Sequence, residues 1–174
     1  MDVTLLYRGP LKSCNYGCGY CPFAKHPATR EEEAADRAGL QRFVGWCRNR
    51  PPGDRLSVFF VPYGEVLVHG WYTEAMVELA SMPHVARVAA QTNLSGPLEW
   101  LEDCPPGKVG LWATYHPEWC PRDQFRQAVF EARVRGARIS VGMVGLRMLK
   151  DEIVALRGEL PPEIYLWINA VKNP

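Results

Sequence analysis

The sequence predicts an α/β domain: a partial (βα)6 TIM-like barrel of six parallel strands joined by five crossover helices. Short apolar runs rich in β-formers alternate with helical periodicities along the chain, the order of parallel βαβ units. Those runs are nearly continuous rather than alternating, as in strands covered by helices. Length fixes the number of units. Shared among six units, 174 residues give 29 apiece, enough for a strand and a helix. Eight units would receive about 22 each, and a complete eight-unit barrel takes about 250 residues.

Val3 to Tyr7 (VTLLY) reads as a first, buried strand, and a loop crowded with Cys, Gly and Pro follows from Gly9 to Pro27. Thr29 opens a helix, and Glu32 three residues later completes a capping box. Leu40, Phe43, Val44 and Cys47 share one face of that helix, which Pro51-Pro52-Gly53 stops. Leu56 to Val61 is the second strand, Trp71 to Met82 the second helix and Val85 to Ala90 the third strand. Pro97 to Asp103 reads as a short third helix before Pro105-Pro106-Gly107. Val109 to Tyr115 is a strand, and Arg122 to Arg135 a helix with Gly136 as its C-cap. Arg138 to Val144 is the fifth strand, Leu146 to Arg157 a helix with Gly158 behind it, and Ile164 to Ile168 the sixth strand. No linker or low-complexity tract divides the chain, so residues 1–174 are expected to be one domain with no second.

Composition narrows the function classes. A net charge of +1 gives no basic footprint, so nucleic acid is not an expected partner. Met1 to Pro10 has an acid at position 2 and no long apolar core, unlike a secretory leader. No stretch approaches the roughly 18 apolar residues of a membrane span. The expected location is cytoplasmic, where the six cysteines would serve as thiols, metal ligands or catalysts.

The sharpest feature lies between the first strand and the first helix. Ser13-Cys14-Asn15-Tyr16-Gly17-Cys18-Gly19-Tyr20-Cys21-Pro22-Phe23 carries three cysteines at C-x3-C-x2-C spacing. A loop this tight is expected to bring the three thiolates to one point, with Gly17 and Gly19 relieving backbone crowding. Convergent thiolates favour an iron–sulfur cluster or zinc. Structural zinc needs a fourth ligand from elsewhere. A [4Fe–4S] cube usually takes four cysteines, so three would leave one iron open for chemistry.

Cys14-x3-Cys18-x2-Cys21, with the aromatic Tyr20 before the third cysteine, resembles the signature of the radical S-adenosylmethionine (radical SAM) superfamily. The wider stretch YRGPLKSCNYGCGYCPFAK is similar to a bacterial subgroup of that superfamily without an assigned function. The resemblance covers nearly the whole chain as a fold, and Tyr7 to Lys25 as a motif. It implies a radical SAM core domain with its cluster loop at 9–27. Cys14, Cys18 and Cys21 would hold a [4Fe–4S] cluster whose fourth iron is chelated by the amino and carboxylate groups of SAM. Tyr20 would approach adenine through its backbone. A reductant protein such as flavodoxin or ferredoxin would supply the electron. Lys25 and His26, beside the loop, could help dock an acidic donor, although solvated charges are the ordinary case.

Further candidates lie where each strand meets the rim. Val61-Pro62-Tyr63-Gly64-Glu65 partly resembles the superfamily's Gly-Gly-Glu segment, with Tyr63 in place of the first glycine. Gly64 and Glu65 would offer backbone and an acceptor to the SAM ammonium, or be a turn glycine and a surface acid. Asn93, in Gln91-Thr92-Asn93, would bond a ribose hydroxyl or carboxylate, or simply cap the loop. Thr114 and His116 reach the rim after strand four. Gly142 and Met143 would let backbone lie against adenine, or the glycine would allow tight packing. Asn169 closes strand six with no assigned role. Cys47 reads as core, Cys104 as lying on the opposite rim, and Cys120 as a loop thiol, a substrate-facing thiol or a fourth metal ligand.

The leading expectation is therefore a radical SAM enzyme acting on an unknown, bulky substrate such as a peptide or protein. The alternatives are a non-catalytic iron–sulfur electron-transfer module, which Tyr63 keeps open, and a zinc-stabilised βα protein.

Overall fold

A computed structural model describes residues 1–23, 26–51 and 53–170. Its strands are β1 (Asp2–Tyr7), β2 (Arg55–Phe60), β3 (Val85–Thr92), β4 (Val109–Tyr115), β5 (Arg138–Val144) and β6 (Leu166–Asn169). They form one parallel sheet in the order β1-β2-β3-β4-β5-β6, curled into a half-barrel. The α-helices are α1 (Arg30–Arg48), α2 (Gly70–Ser81), α3 (Arg122–Val134) and α4 (Lys150–Glu159). Pairing each strand with the next requires a crossover at every step, and a consistent hand puts the helices on one face.

Local chemistry sets the helix ends. Glu32 N donates to Thr29 Oγ1 at 3.2 Å and Thr29 N donates to Glu32 Oε2 at 2.9 Å, the capping box expected at the start of α1. Gly136, just past α3, has φ of +89°, a conformation glycine adopts without a Cβ penalty. Two expectations change. The third crossover is not an α-helix but a five-residue 3-10 segment, Glu99–Asp103, because prolines at both ends leave no room for α turns. Helix α4 runs through Gly158 to Glu159, where Arg157 donates to the carbonyls of Leu160, Pro161 and Ile164 at 2.6–2.7 Å.

Burial alternates along the strands. Leu56, Val58 and Phe60 of β2 are buried, as are Val109, Leu111, Ala113 and Tyr115 of β4. Alternate residues face the hollow: Leu6 of β1 is 69% and Trp112 of β4 39% exposed. The first strand is therefore a half-exposed edge rather than a buried strand. Helices cover one face of the sheet only, so the nearly continuous apolar runs reflect an aromatic hollow as well as a core. Phe59 stacks on Trp112 at 5.3 Å, and Trp112 meets Trp167 edge-on at 5.1 Å.

The core also holds an acidic side chain that periodicity did not signal. Asp36 on α1 is buried and accepts from Trp71 Nε1 at 2.9 Å and Tyr72 Oη at 3.0 Å. This ties α1 to α2 beneath the start of the cysteine loop, where a Cβ on Gly9 would stand 2.7 Å from Asp36 Oδ1. Among the described residues no helix is long and apolar enough to cross a membrane.

Candidate metal and cofactor site

The C-terminal ends of the strands surround a cavity of about 600 Å³, within the usual range for small-molecule sites. Cys14, Cys18 and Cys21 line it, together with Tyr20, Gly64, Glu65, Asn93, Thr114, His116 and Asn169. Most of the positions singled out in the sequence thus line one cavity.

The cysteine loop is docked by backbone. Leu11, 1% exposed, plugs it into the core. Gly64 N donates to Leu11 O at 3.1 Å and Glu65 N to Ser13 O at 3.0 Å. The approach is so close that a Cβ on Gly64 would lie 2.0 Å from Ser13 O. A Gly64→Ala variant is therefore expected to displace Ser13-Cys14 and lose metal binding, at a cost of about 1–3 kcal/mol in stability. Iron content and a denaturation curve on the same preparation would check both parts.

Glu65 does not stand ready for an ammonium. It is 3% exposed, and its oxygens accept from Leu67 N at 2.9 Å, Thr92 Oγ1 at 2.5 Å and Asn93 N at 2.5 Å. Burial pushes its carboxyl above the usual range, against the pull of these three donors. Its work is to clamp the post-β2 loop to the end of β3. Asn93 combines two roles. Its Oδ1 accepts from Ser95 N at 3.0 Å, capping the turn, while its Nδ2 donates to Asn15 Oδ1 at 3.0 Å and reaches Cys14 Sγ at 3.8 Å.

The three cysteines are unbridged and close enough to influence one another. Burial, and to a lesser degree the charges of Glu65, Cys18 and Cys21, push the Cys14 thiol up to about 11. Tyr16 N donates to Cys14 Sγ at 3.4 Å, Cys21 Sγ donates to Phe23 O at 3.5 Å, and Cys18 Sγ lies 3.4 Å from His116 Nδ1. Each sulfur has a hydrogen-bonding neighbour outside the trio. Among the described residues no three His, Cys, Asp or Glu side chains are gathered for one metal ion. The donor set fits a polynuclear cluster, in which each thiolate takes a different iron: three soft ligands on one loop, lining one cavity.

Other candidates fall elsewhere. Met143 is fully buried on the helix side of β5, because side chains alternate and its neighbours Gly142 and Val144 face the hollow. Gly142 gives room to Trp167, whose ring would lie 2.2 Å from an added Cβ. Val144 is the β5 residue that lines the cavity. Tyr20 directs its phenol to His116, Oη to Nδ1 at 2.7 Å. Burial holds His116 down at about 4, so its ring is neutral. Cys47 and Cys104 are buried, and Cys120 borders a second hollow with Tyr16, which also lines the three-cysteine cavity. His26 is exposed, while Lys25 and Pro52 lie outside the described residues.

Arg8 was missed in the sequence, although it follows β1 directly on the rim. Its Nε donates to Val61 O at 3.1 Å and its guanidinium lies 5.0 Å from the centre of the Tyr63 ring. Tyr63 also packs on Phe23 at 4.6 Å. Arg8 is the one cation among the described lining residues, and Glu65 the one acid. Since Glu65 is spent on its three donors, the cavity wall is suited to an anionic group.

No family model, curated protein or solved structure matches the chain.

Proposed function

We propose that the chain is a radical SAM enzyme that holds a [4Fe–4S] cluster on Cys14, Cys18 and Cys21 and binds SAM beside it. The observation that supports this most is that all three cysteines line the one rim cavity that Gly64 and Asn93 also line. Held there by Cys14, Cys18 and Cys21, the cluster would supply the electron for reductive cleavage of SAM, the chemistry that yields methionine and a 5′-deoxyadenosyl group able to take hydrogen from a substrate.

The residues prepare the site. Gly64 admits the loop against the post-β2 segment, and the Glu65 clamp fixes Asn93 near Cys14. With the Glu65 carboxylate occupied, the backbone of the Tyr63–Glu65 segment is what remains to accept from the SAM ammonium. Tyr63, in place of a glycine, turns its ring to Phe23 and Arg8 and holds the guanidinium at the cavity. The two terminal amino groups of Arg8 make a fork for the SAM carboxylate. Arg8→Gln is expected to weaken SAM binding about tenfold, measured by equilibrium titration of the loaded protein. Unchanged affinity would contradict this role.

The open hollow, with Leu6 and Trp112 exposed, suits a bulky substrate such as a peptide or protein. Flavodoxin or ferredoxin remains the class of reductant we propose, within a cytoplasmic setting. Anaerobic reconstitution with iron and sulfide tests the assignment. The reading requires a brown protein whose reduced electron-paramagnetic-resonance signal changes when SAM is added. A cluster whose signal ignores SAM would favour the non-catalytic electron-transfer module, and a colourless zinc-loaded chain would favour structural metal.

A further inference from the structure

His116 follows β4, and its carbonyl accepts from Trp119 N at 3.0 Å and Cys120 N at 3.1 Å, so a tight turn fixes its backbone. Aromatic contacts fix its ring. Tyr20 lies nearly parallel to it, with 12° between planes, and Tyr16 meets it edge-on at 5.9 Å. Tyr16 is in turn stacked on Trp119 at 5.6 Å. Held this way, Nδ1 stands 2.7 Å from Tyr20 Oη and 3.4 Å from Cys18 Sγ. A phenol, an imidazole edge and a sulfur therefore meet across 98 residues of sequence.

The three cysteines differ in what this means once they lose their protons. A ligating thiolate can only accept hydrogen bonds. The Cys21 thiol donates to a carbonyl, a bond that ends on ligation. Cys14 keeps the Tyr16 amide. Cys18 keeps the Tyr20 and His116 pair, whose phenol O–H, and whose Nδ1–H in the tautomer that carries it, are the donors that meet at the sulfur.

We propose that Tyr20 and His116 form a hydrogen-bonding cap over the sulfur of Cys18 and raise the reduction potential of the cluster that Cys18 ligates. This rests on the cluster reading above. Reduction adds negative charge that is shared with the thiolates, so a donor at the sulfur stabilises the reduced state more than the oxidised one. Both are positioning residues, acting through Cys18 on the metal centre. The side chain of Tyr20 thereby has work separate from the backbone contact that the family resemblance assigns to it.

The test is a redox titration, read by visible absorbance and paramagnetic resonance, of the full chain reconstituted anaerobically. Wild type, Tyr20→Phe, His116→Leu and His116→Gln are compared, with iron content and circular dichroism on each. At the potential where wild type is half reduced, Tyr20→Phe and His116→Leu are expected to lower the ratio of reduced to oxidised cluster about tenfold, equivalent to about 1.4 kcal/mol. His116→Gln retains a side-chain N–H and is expected to lie nearer wild type. Identical potentials in all four fully loaded proteins overturn the proposal while leaving the cluster reading intact. Loss of iron from folded His116→Leu also overturns it, since the histidine would then be a ligand. A wild-type chain that takes up no cluster defeats the parent reading, and the cap with it.

Discussion

Cys18→Ala is expected to abolish cluster binding and leave the fold standing. Cys18 is 5% exposed, so the change removes a buried sulfur, and the loop should lose only about 1 kcal/mol of packing. The loop keeps its other anchors. Leu11 stays in the core, and the bonds from Gly64 and Glu65 hold residues 11 and 13. Cys18 lies outside the buried apolar cluster between the sheet and its helices. Iron analysis after reconstitution should therefore read near background, while circular dichroism and the melting curve stay close to wild type. A variant that unfolds outright would mean that a metal supports the fold, the behaviour of a structural zinc site.

Glu65→Ala is expected to behave in the opposite way. It leaves Leu67 N, Asn93 N and the Thr92 hydroxyl buried without their acceptor. Unsatisfied buried donors of this kind cost about 1–3 kcal/mol each, so a loss of roughly 2–5 kcal/mol follows once partial relaxation is allowed. The damage reaches the site, because the same carboxylate fixes the residue whose amide approaches Cys14. Glu65→Gln should fall between wild type and alanine. Its amide oxygen can serve Leu67 and Thr92, but its amino group then faces the Asn93 N–H. Denaturant unfolding of the three proteins would show that order. A Glu65→Ala chain as stable as wild type would remove the clamp from the account.

Much of the architecture was legible because it rests on local signals. The Thr29 and Glu32 capping box, the prolines that stop segments and the βα alternation each act within a few residues. The candidate wall was legible for a related reason: parallel βα units put every strand end on one rim, so Gly64, Asn93, Thr114 and the cysteine loop had to be neighbours. What was not legible depends on parity, partners or distance. Gly142 and Met143 cannot face the same side of one strand, and the register with β4 and β6 decides which does. Glu65 looks like a free acid in the sequence, and its three donors come from residues up to 28 positions away. Asp36 lies among charged neighbours on α1, yet Trp71 and Tyr72 draw it inside. The pairing of Tyr20 with His116 spans 96 residues and has no periodic trace. Arg8 follows β1 directly, so the strand-end rule places it on the rim. The surroundings of the sulfurs were equally invisible in the spacing, since Cys18 Sγ lies beside His116 Nδ1, 98 residues away.

The decisive measurement is product analysis after anaerobic reconstitution. The loaded chain is reduced with dithionite in the presence of SAM, and the mixture is assayed for 5′-deoxyadenosine and methionine. The account predicts both products in wild type, in step with iron content, and neither in Cys18→Ala. A fully loaded, reducible cluster that leaves SAM uncleaved would contradict it.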